Sequence, residues 1–272
     1  MVEETLCKRK PLLMGILNVT PDSFFDGGAY YEPEMAVQHA LKMVDDGADI
    51  IDVGGESTRP FSTPISVEEE LQRIIPVIEG IRAQSNIPLS IDTYKSQVAD
   101  EACKRGVQII NDISGLTFDD RMVHIAREHG ATVIIMHIKG TPATMQKDPV
   151  YTDVITELCT YFTERIEFAT HHGVADDHII LDPGIGFGKR VEDNLKIIKH
   201  LSRFKDLGKP ILVGTSMKSF IGVVTDSPLH ERTEGTLASI ALAVWNGADI
   251  LRVHDVRKAK KVIQLVEAVK HV

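Results

Sequence analysis

The chain has 272 residues, of which 43% are hydrophobic and 25% charged, and a formal net charge of −9. That composition is ordinary for a globular protein with a substantial core, and a β/α barrel of ~250 residues would use nearly all of it. The acidic balance argues against a nucleic-acid partner, whose main affinity term is Lys and Arg on phosphates; it leaves room for a small anionic substrate held by a few local cations.

Short, near-continuously apolar runs alternate with amphipathic stretches from end to end. Strand-like runs cover residues 12–19, 49–54, 88–92, 108–112, 132–137, 179–182, 210–215 and 250–254, and the clearest helical patterns cover 34–46, 67–83, 97–105, 153–171 and 234–246. Strands buried on both faces read this way in a parallel sheet. The helix-to-strand junctions repeat. Gly47-Ala48-Asp49-Ile50 recurs as Gly247-Ala248-Asp249-Ile250, and Gly106, Gly130, Gly173 and Gly208 fall at comparable points, where a glycine supplies the left-handed helix cap. Eight such units and no dividing linker predict one (β/α)8 TIM barrel. An open doubly wound sheet would want a G-x-G-x-x-G loop after the first strand, and this strand ends Leu17-Asn18-Val19-Thr20-Pro21.

In such barrels the reactive groups stand at strand C-termini. Here those ends carry Asn18, Gly54-Gly55-Glu56-Ser57-Thr58-Arg59, Asp92, Asn111-Asp112, Met136-His137, Asp182-Pro183-Gly184, Ser216-Met217-Lys218-Ser219, and Arg252 with His254. Asp, Asn and Ser are ordinary helix N-caps, but Lys218, Arg252 and His254 are not of that type. Arg252 and His254 are two apart, so they share a face and suit an oxyanion or phosphate clamp. Asp92, Asn111 and Asp182 could accept and donate along the amino–NH edge of a flat heterocycle. The plain structural alternative is that Asp92 pairs with Lys95 or Lys218.

Other patterns carry less. The turn from Pro183 to Lys189 is not a Walker A loop, because Pro183 and Arg190 stand where Gly and Ser or Thr are needed. Its glycines would let backbone approach a ligand that Phe187 covers. His171-His172 at a helix end are expected to be solvated, and His124 and His129 have no metal-ligand spacing. Cys7, Cys103 and Cys159 are few, odd in number and widely spaced. With no signal-peptide core in residues 1–10 and no long apolar run, they predict reduced thiols in a cytoplasmic protein, no structural zinc and no membrane association.

The ordered set resembles dihydropteroate synthase, the pterin-binding barrel family of folate synthesis. The matching pieces are Leu17-Asn18-Val19-Thr20-Pro21-Asp22-Ser23-Phe24, Gly54-Gly55-Glu56-Ser57-Thr58-Arg59-Pro60, Ser90-Ile91-Asp92-Thr93, Asn111-Asp112-Ile113-Ser114-Gly115, Asp182 to Lys189, Lys218-Ser219-Phe220 and Arg252-Val253-His254. The resemblance implies condensation of p-aminobenzoate with 6-hydroxymethyl-7,8-dihydropterin diphosphate. Asp92, Asn111 and Asp182 would then hold the pterin edges, Lys218 its carbonyl and ring nitrogen, and Met136 and Phe187 its apolar walls. Asn18, Arg252 and His254 would bind the diphosphate, with Mg2+ at Asn18. Ser219 would receive the p-aminobenzoate carboxylate, Thr58 and Arg59 would cover the site, and Asp26 would steady a cationic intermediate. A homodimer is the family tendency, with the apolar residues between 237 and 245 as one possible contact. Truncating Arg252 or His254 is expected to weaken diphosphate binding more than binding of a bare pterin.

Two positions leave the family pattern. Met217 replaces an Arg in Ser-Arg-Lys-Ser, and Phe61 stands where Gly is common, which bears on loop support and sulfonamide affinity. A corrinoid-dependent methyltransferase would share the pterin-reading residues without needing Lys218, Arg252 and His254. A catalytically silent relative would bind the diphosphate without turnover.

Overall fold

A computed structural model describes residues 11–20, 33–59 and 62–272. The expectations placed on Asp22, Asp26 and Phe61 fall outside the described residues.

Eight parallel strands form one sheet in the order β6-β5-β4-β3-β2-β1-β8-β7. They are β1 Leu12–Asn18, β2 Ile50–Gly54, β3 Leu89–Asp92, β4 Ile109–Asp112, β5 Thr132–Met136, β6 Ile179–Asp182, β7 Leu212–Val213 and β8 Ile250–Val253. The intervening helices are α1 Pro33–Asp46, α2 Val67–Arg82, α3 Ser96–Lys104, α4 Met122–His129, α5 Val154–His171, α6 Val191–Lys199, α7 Ser219–Thr225, α8 Thr233–Trp245 and α9 Val256–Lys270. The TIM-barrel expectation holds, and most element ends agree to within a residue or two. The exception is the seventh strand, whose ladder is two residues long where six were expected. Pro210 removes a donor at its start and Gly214 offers no side chain to pack at its end. The circle closes between β6 and β7 through the bridge Leu181↔Ile211 alone.

The glycine junctions behave as predicted. Gly47 and Gly247, in the repeated tetrapeptide, have φ of 103° and 101°, a region L-residues avoid. Helix starts use side-chain acceptors: Ser66 takes the N–H of Glu69 at 3.1 Å and Asp255 that of Lys258 at 2.9 Å.

Side-chain alternation divides the core in two. Residues on the outer strand faces join the helices in one large cluster. Inside the barrel, Leu12, Met14, Ile50, Ile109, Ile134, Ile180, Leu212 and Ile250 form a separate apolar plug. With a period of two, the next inward position on each of the seven strands that supply the plug is Ile16, Asp52, Asn111, Met136, Asp182, Gly214 and Arg252. The plug is thus the floor on which the polar mouth rests.

Candidate active site

Above that floor lies a cavity of about 480 Å³, lined among others by Asn18, Thr58, Arg59, Asp92, Asn111, Met136, Asp182, Phe187, Lys218, Ser219, Arg252 and His254. Every described residue to which the resemblance gave a substrate, metal or catalytic role is therefore on one wall or another.

Ladder register explains the convergence. Asn18 is level with Gly54, Gly54 with Asp92, Asp92 with Asn111, and Met136 with Asp182. Gly54 leaves open the space between Asn18 and Asp92. A Cβ there would stand 3.5 Å from that of Asp92.

Arg252 departs from the sequence picture of an open phosphate clamp. Its Nε donates to Asp52 Oδ2 at 2.6 Å and its Nη2 to Asp92 Oδ2 at 2.6 Å. Asp52, fully buried, also accepts from Asn111 Nδ2 at 3.0 Å. The plain alternative for Asp92 is corrected too: its ion-pair partner is Arg252, while Lys95 bonds Glu56 at 2.6 Å and Glu70 at 2.7 Å. The same Glu56 accepts from Tyr94 Oη at 2.6 Å and from the N–H of Ile65 at 3.1 Å, fastening the far end of the second loop. Because Arg252 neutralises Asp92, truncating it disturbs the heterocycle-reading carboxylate as well. The expected selective loss of diphosphate binding therefore survives for His254 and not for Arg252.

Burial, with the nearby negative charges of Asp52 and Glu70, pushes the Asp92 carboxyl up to about 7 against the pull of Arg252 and Lys218. Asp182 is raised by burial as well, while Gly184 N–H donates to its Oδ1 at 2.7 Å. Burial and then Arg252 push the Lys218 ammonium down to about 8. That ammonium rests 4.1 Å from the centre of the Phe187 ring, a cation–π contact. His254 stands at the rim, open to solvent on one side. The protein packed against its inner side, then the charges of Arg252, Lys218 and Arg59, push it down to about 4. It is a neutral donor–acceptor at pH 7, held by Ser216 Oγ at 2.9 Å from Nδ1.

Two acceptors at the floor of the cavity, Asp92 Oδ1 and Asn111 Oδ1, have no hydrogen-bond partner within the described residues. Such atoms cost free energy until something donates to them. The turn beyond Asp182 is shaped by its glycines: at Gly184, with φ 66°, a Cβ would lie 2.1 Å from the His137 carbonyl oxygen.

Lys218 is positionally the N-cap of α7, though its side chain makes no capping bond, and Ser219 opens that helix. Met217 has a left-handed φ of 59°. Its N–H donates to Thr236 Oγ1 at 3.1 Å and its carbonyl accepts from Arg232 Nη1 at 3.2 Å. A guanidinium thus supports this turn from α8's N-cap, beside the position where the family carries one. Among the described residues, no three His, Cys, Asp or Glu side chains are grouped so as to hold a metal ion. His172 is not simply solvated, since its Nδ1 lies 2.8 Å from Phe168 O and its ring stacks on Phe168.

Asp52 and Lys189 are among the buried charged groups to which the sequence alone gave no role. The alternation rule could have found Asp52: it is the inward residue between Ile50 and Gly54.

Fold and site together define a barrel enzyme that binds a flat, polar-edged heterocycle. The family model described as pterin binding enzyme matches residues 14–254. The dihydropteroate synthase of Bacillus subtilis is 47% identical over 96% of this chain and 89% of its own length. The sulfonamide-complexed dihydropteroate synthase of Yersinia pestis superposes with a TM-score of 0.92 at 40% identity, covering 97% of this chain and 95% of that one. The Xanthomonas albilineans enzyme with 7,8-dihydropteroate gives 0.88 at 39% identity, over 97% and 95%. This chain belongs to the pterin binding enzymes and, within them, to the dihydropteroate synthases.

Proposed function

We propose that the chain joins 6-hydroxymethyl-7,8-dihydropterin diphosphate to p-aminobenzoate, releasing pyrophosphate and 7,8-dihydropteroate for folate synthesis. The observation that carries this reading is the pair of unpartnered acceptors, Asp92 Oδ1 and Asn111 Oδ1, in one cavity with Arg252 and Lys218. A pterin supplies ring N–H and amino donors to the carboxylates of Asp92 and Asp182 and a mixed edge to Asn111. Met136 and Phe187 wall its faces, and Lys218 donates to its carbonyl and ring nitrogen.

The bond from the pterin methylene to the diphosphate oxygen breaks with its electron pair leaving on the diphosphate. Arg252, with donors beyond those its two carboxylates use, and neutral His254 stabilise that growing charge. The arylamine lone pair then forms the C–N bond, and its proton passes to solvent. A neutral arylamine needs no strong base, which suits a site without a Ser-His or Cys-His pair. Ser219 binds the p-aminobenzoate carboxylate at the start of α7, and Thr58 and Arg59 cover the second substrate.

The residues around Asn18 fit a magnesium ion. An amide oxygen with the hydroxyls of Thr20 and Ser57 lining the same cavity is a hard, sparse donor set, suited to an ion that keeps waters and substrate phosphate as ligands. Bound there, Mg2+ would neutralise diphosphate charge. We further infer a homodimer: Ser239, Ile240, Ala243 and Val244 of α8 are buried, whereas Leu242 and Trp245, like Leu265 and Val269 of the neighbouring α9, are exposed. The cytoplasm is the compartment that suits the unpaired thiols of Cys103 and Cys159. Among the described residues, no helix is long and apolar enough to cross a membrane.

Purified, folded protein given the pterin diphosphate, p-aminobenzoate and Mg2+ is expected to release pyrophosphate; no release would overturn the reading. The pH profile of kcat/KM for the pterin diphosphate should be bell-shaped. Activity falls below about 7 as Asp92 takes its proton and above about 8 as Lys218 loses one. Lys218→Met should remove the alkaline limb.

A further inference from the structure

Lys189 closes the glycine-rich turn after β6, and its side chain is buried, 3% exposed. Its ammonium has three hydrogens and meets three acceptors: His137 Nδ1 at 3.0 Å, His137 O at 3.2 Å and Phe187 O at 3.0 Å. Burial pushes the His137 ring far below its ordinary range, so the ring is neutral, and a lysine donating to Nδ1 selects the tautomer with its proton on Nε2. Burial pushes the Lys189 ammonium down to about 7 against the pull of Asp182 and Asp193, and no carboxylate among the described residues is close enough to form an ion pair with it. A buried cation without such a counter-ion is costly, and an apolar side chain of similar length would fill the space without that cost. The charge therefore needs a reason other than packing.

The three acceptors supply one. Two sit on His137, immediately after Met136 at the end of β5; the third is the carbonyl of Phe187 itself. Met136 and Phe187 are the apolar walls of the cavity, and the Phe187 ring is where the Lys218 ammonium rests at 4.1 Å. The loop has close contacts here: a Cβ at Gly184 would meet His137 O, and one at Gly188 would lie 2.6 Å from Lys139 O. One ammonium thus fastens the β5 end to the turn after β6.

We propose that Lys189 is a positioning residue for pterin recognition: by holding His137 and Phe187 together it sets the gap into which the bicyclic ring slides and keeps Phe187 beneath Lys218. With all three N–H groups occupied, it touches no substrate. The inference rests on the pterin reading of the cavity. Wild-type turnover tests that reading separately.

Lys189→Met should raise KM for the pterin diphosphate about tenfold or more, as expected for misplaced contacts. KM for p-aminobenzoate at saturating pterin should change less than about twofold, because Ser219 lies on α7 and not on the fastened segments. A purely structural role would move both constants together or neither, and either result overturns the proposal. Should Lys189→Met fail to fold, Lys189→Arg decides by the same split. Its planar fork keeps the charge but cannot reach three acceptors arranged for an ammonium.

Discussion

Replacing Arg252 with alanine is expected to abolish pyrophosphate release and to cost the fold about 3–5 kcal/mol, the usual penalty for leaving a buried ion-pair partner alone. Two carboxylates would be stranded, because Arg252 bonds both Asp52 and Asp92 at 2.6 Å. The loss has a pH signature. A carboxyl whose folded pKa lies above its unfolded value stabilises the fold at low pH and loses that contribution as pH rises through the folded pKa. Asp92, at about 7, already behaves so between about 4 and 7, and Arg252 is the strongest influence holding it down. In Arg252→Ala the decline in stability should extend to higher pH. Urea unfolding from about pH 5 to about pH 9 checks it; an unchanged profile would show that the guanidinium does not govern Asp92.

The second large effect is expected from Asp52→Ala, at a side chain that is not on the cavity wall. Alanine removes the acceptor of Asn111 Nδ2 and one of the two anchors of Arg252. Turnover should fall about 100-fold, because displacement of a clamp by an ångström has that order of cost. The direction of the pH shift separates this from general damage. Asp52 raises the Asp92 pKa by charge repulsion, so the acid limb of kcat/KM should move below about 7 in the variant. An acid limb that stays in place, or moves upward, would rule out the coupling.

How much of this was legible beforehand follows from what each feature depends on. The strand ends were readable because apolar runs stop abruptly at Asn18, Asp92, Asn111 and Asp182, and because Lys218, Arg252 and His254 are not of the usual capping types. The glycine junctions were readable because a helix followed at once by a strand leaves few other ways to turn. Asp52 was passed over because it lies inside a run whose other members are Ile50, Ile51 and Val53, and its partners are distant in sequence. Arg252 is 200 positions away along the chain. Lys189 was read as part of a failed phosphate loop, since the acceptors that define it belong to another strand. Pairwise charge arrangements of this kind depend on register around the barrel, which the alternation pattern constrains only once the closing order of strands is known. The shortness of β7 was legible in part: Pro210 and Gly214 bracket an apolar run of three, Ile211, Leu212 and Val213, and only the neighbours decide how many of those form a ladder.

That short strand has a thermodynamic meaning. The barrel wall is a continuous ladder except at its join between β6 and β7, held by the lone bridge Leu181↔Ile211. Asp182 lies just beyond one side of this join and Lys218 just beyond the other, and a pterin would touch both. The substrate would then act as the missing rivet of the wall. Part of its binding free energy would appear as resistance of the β6 and β7 amides to exchange with water.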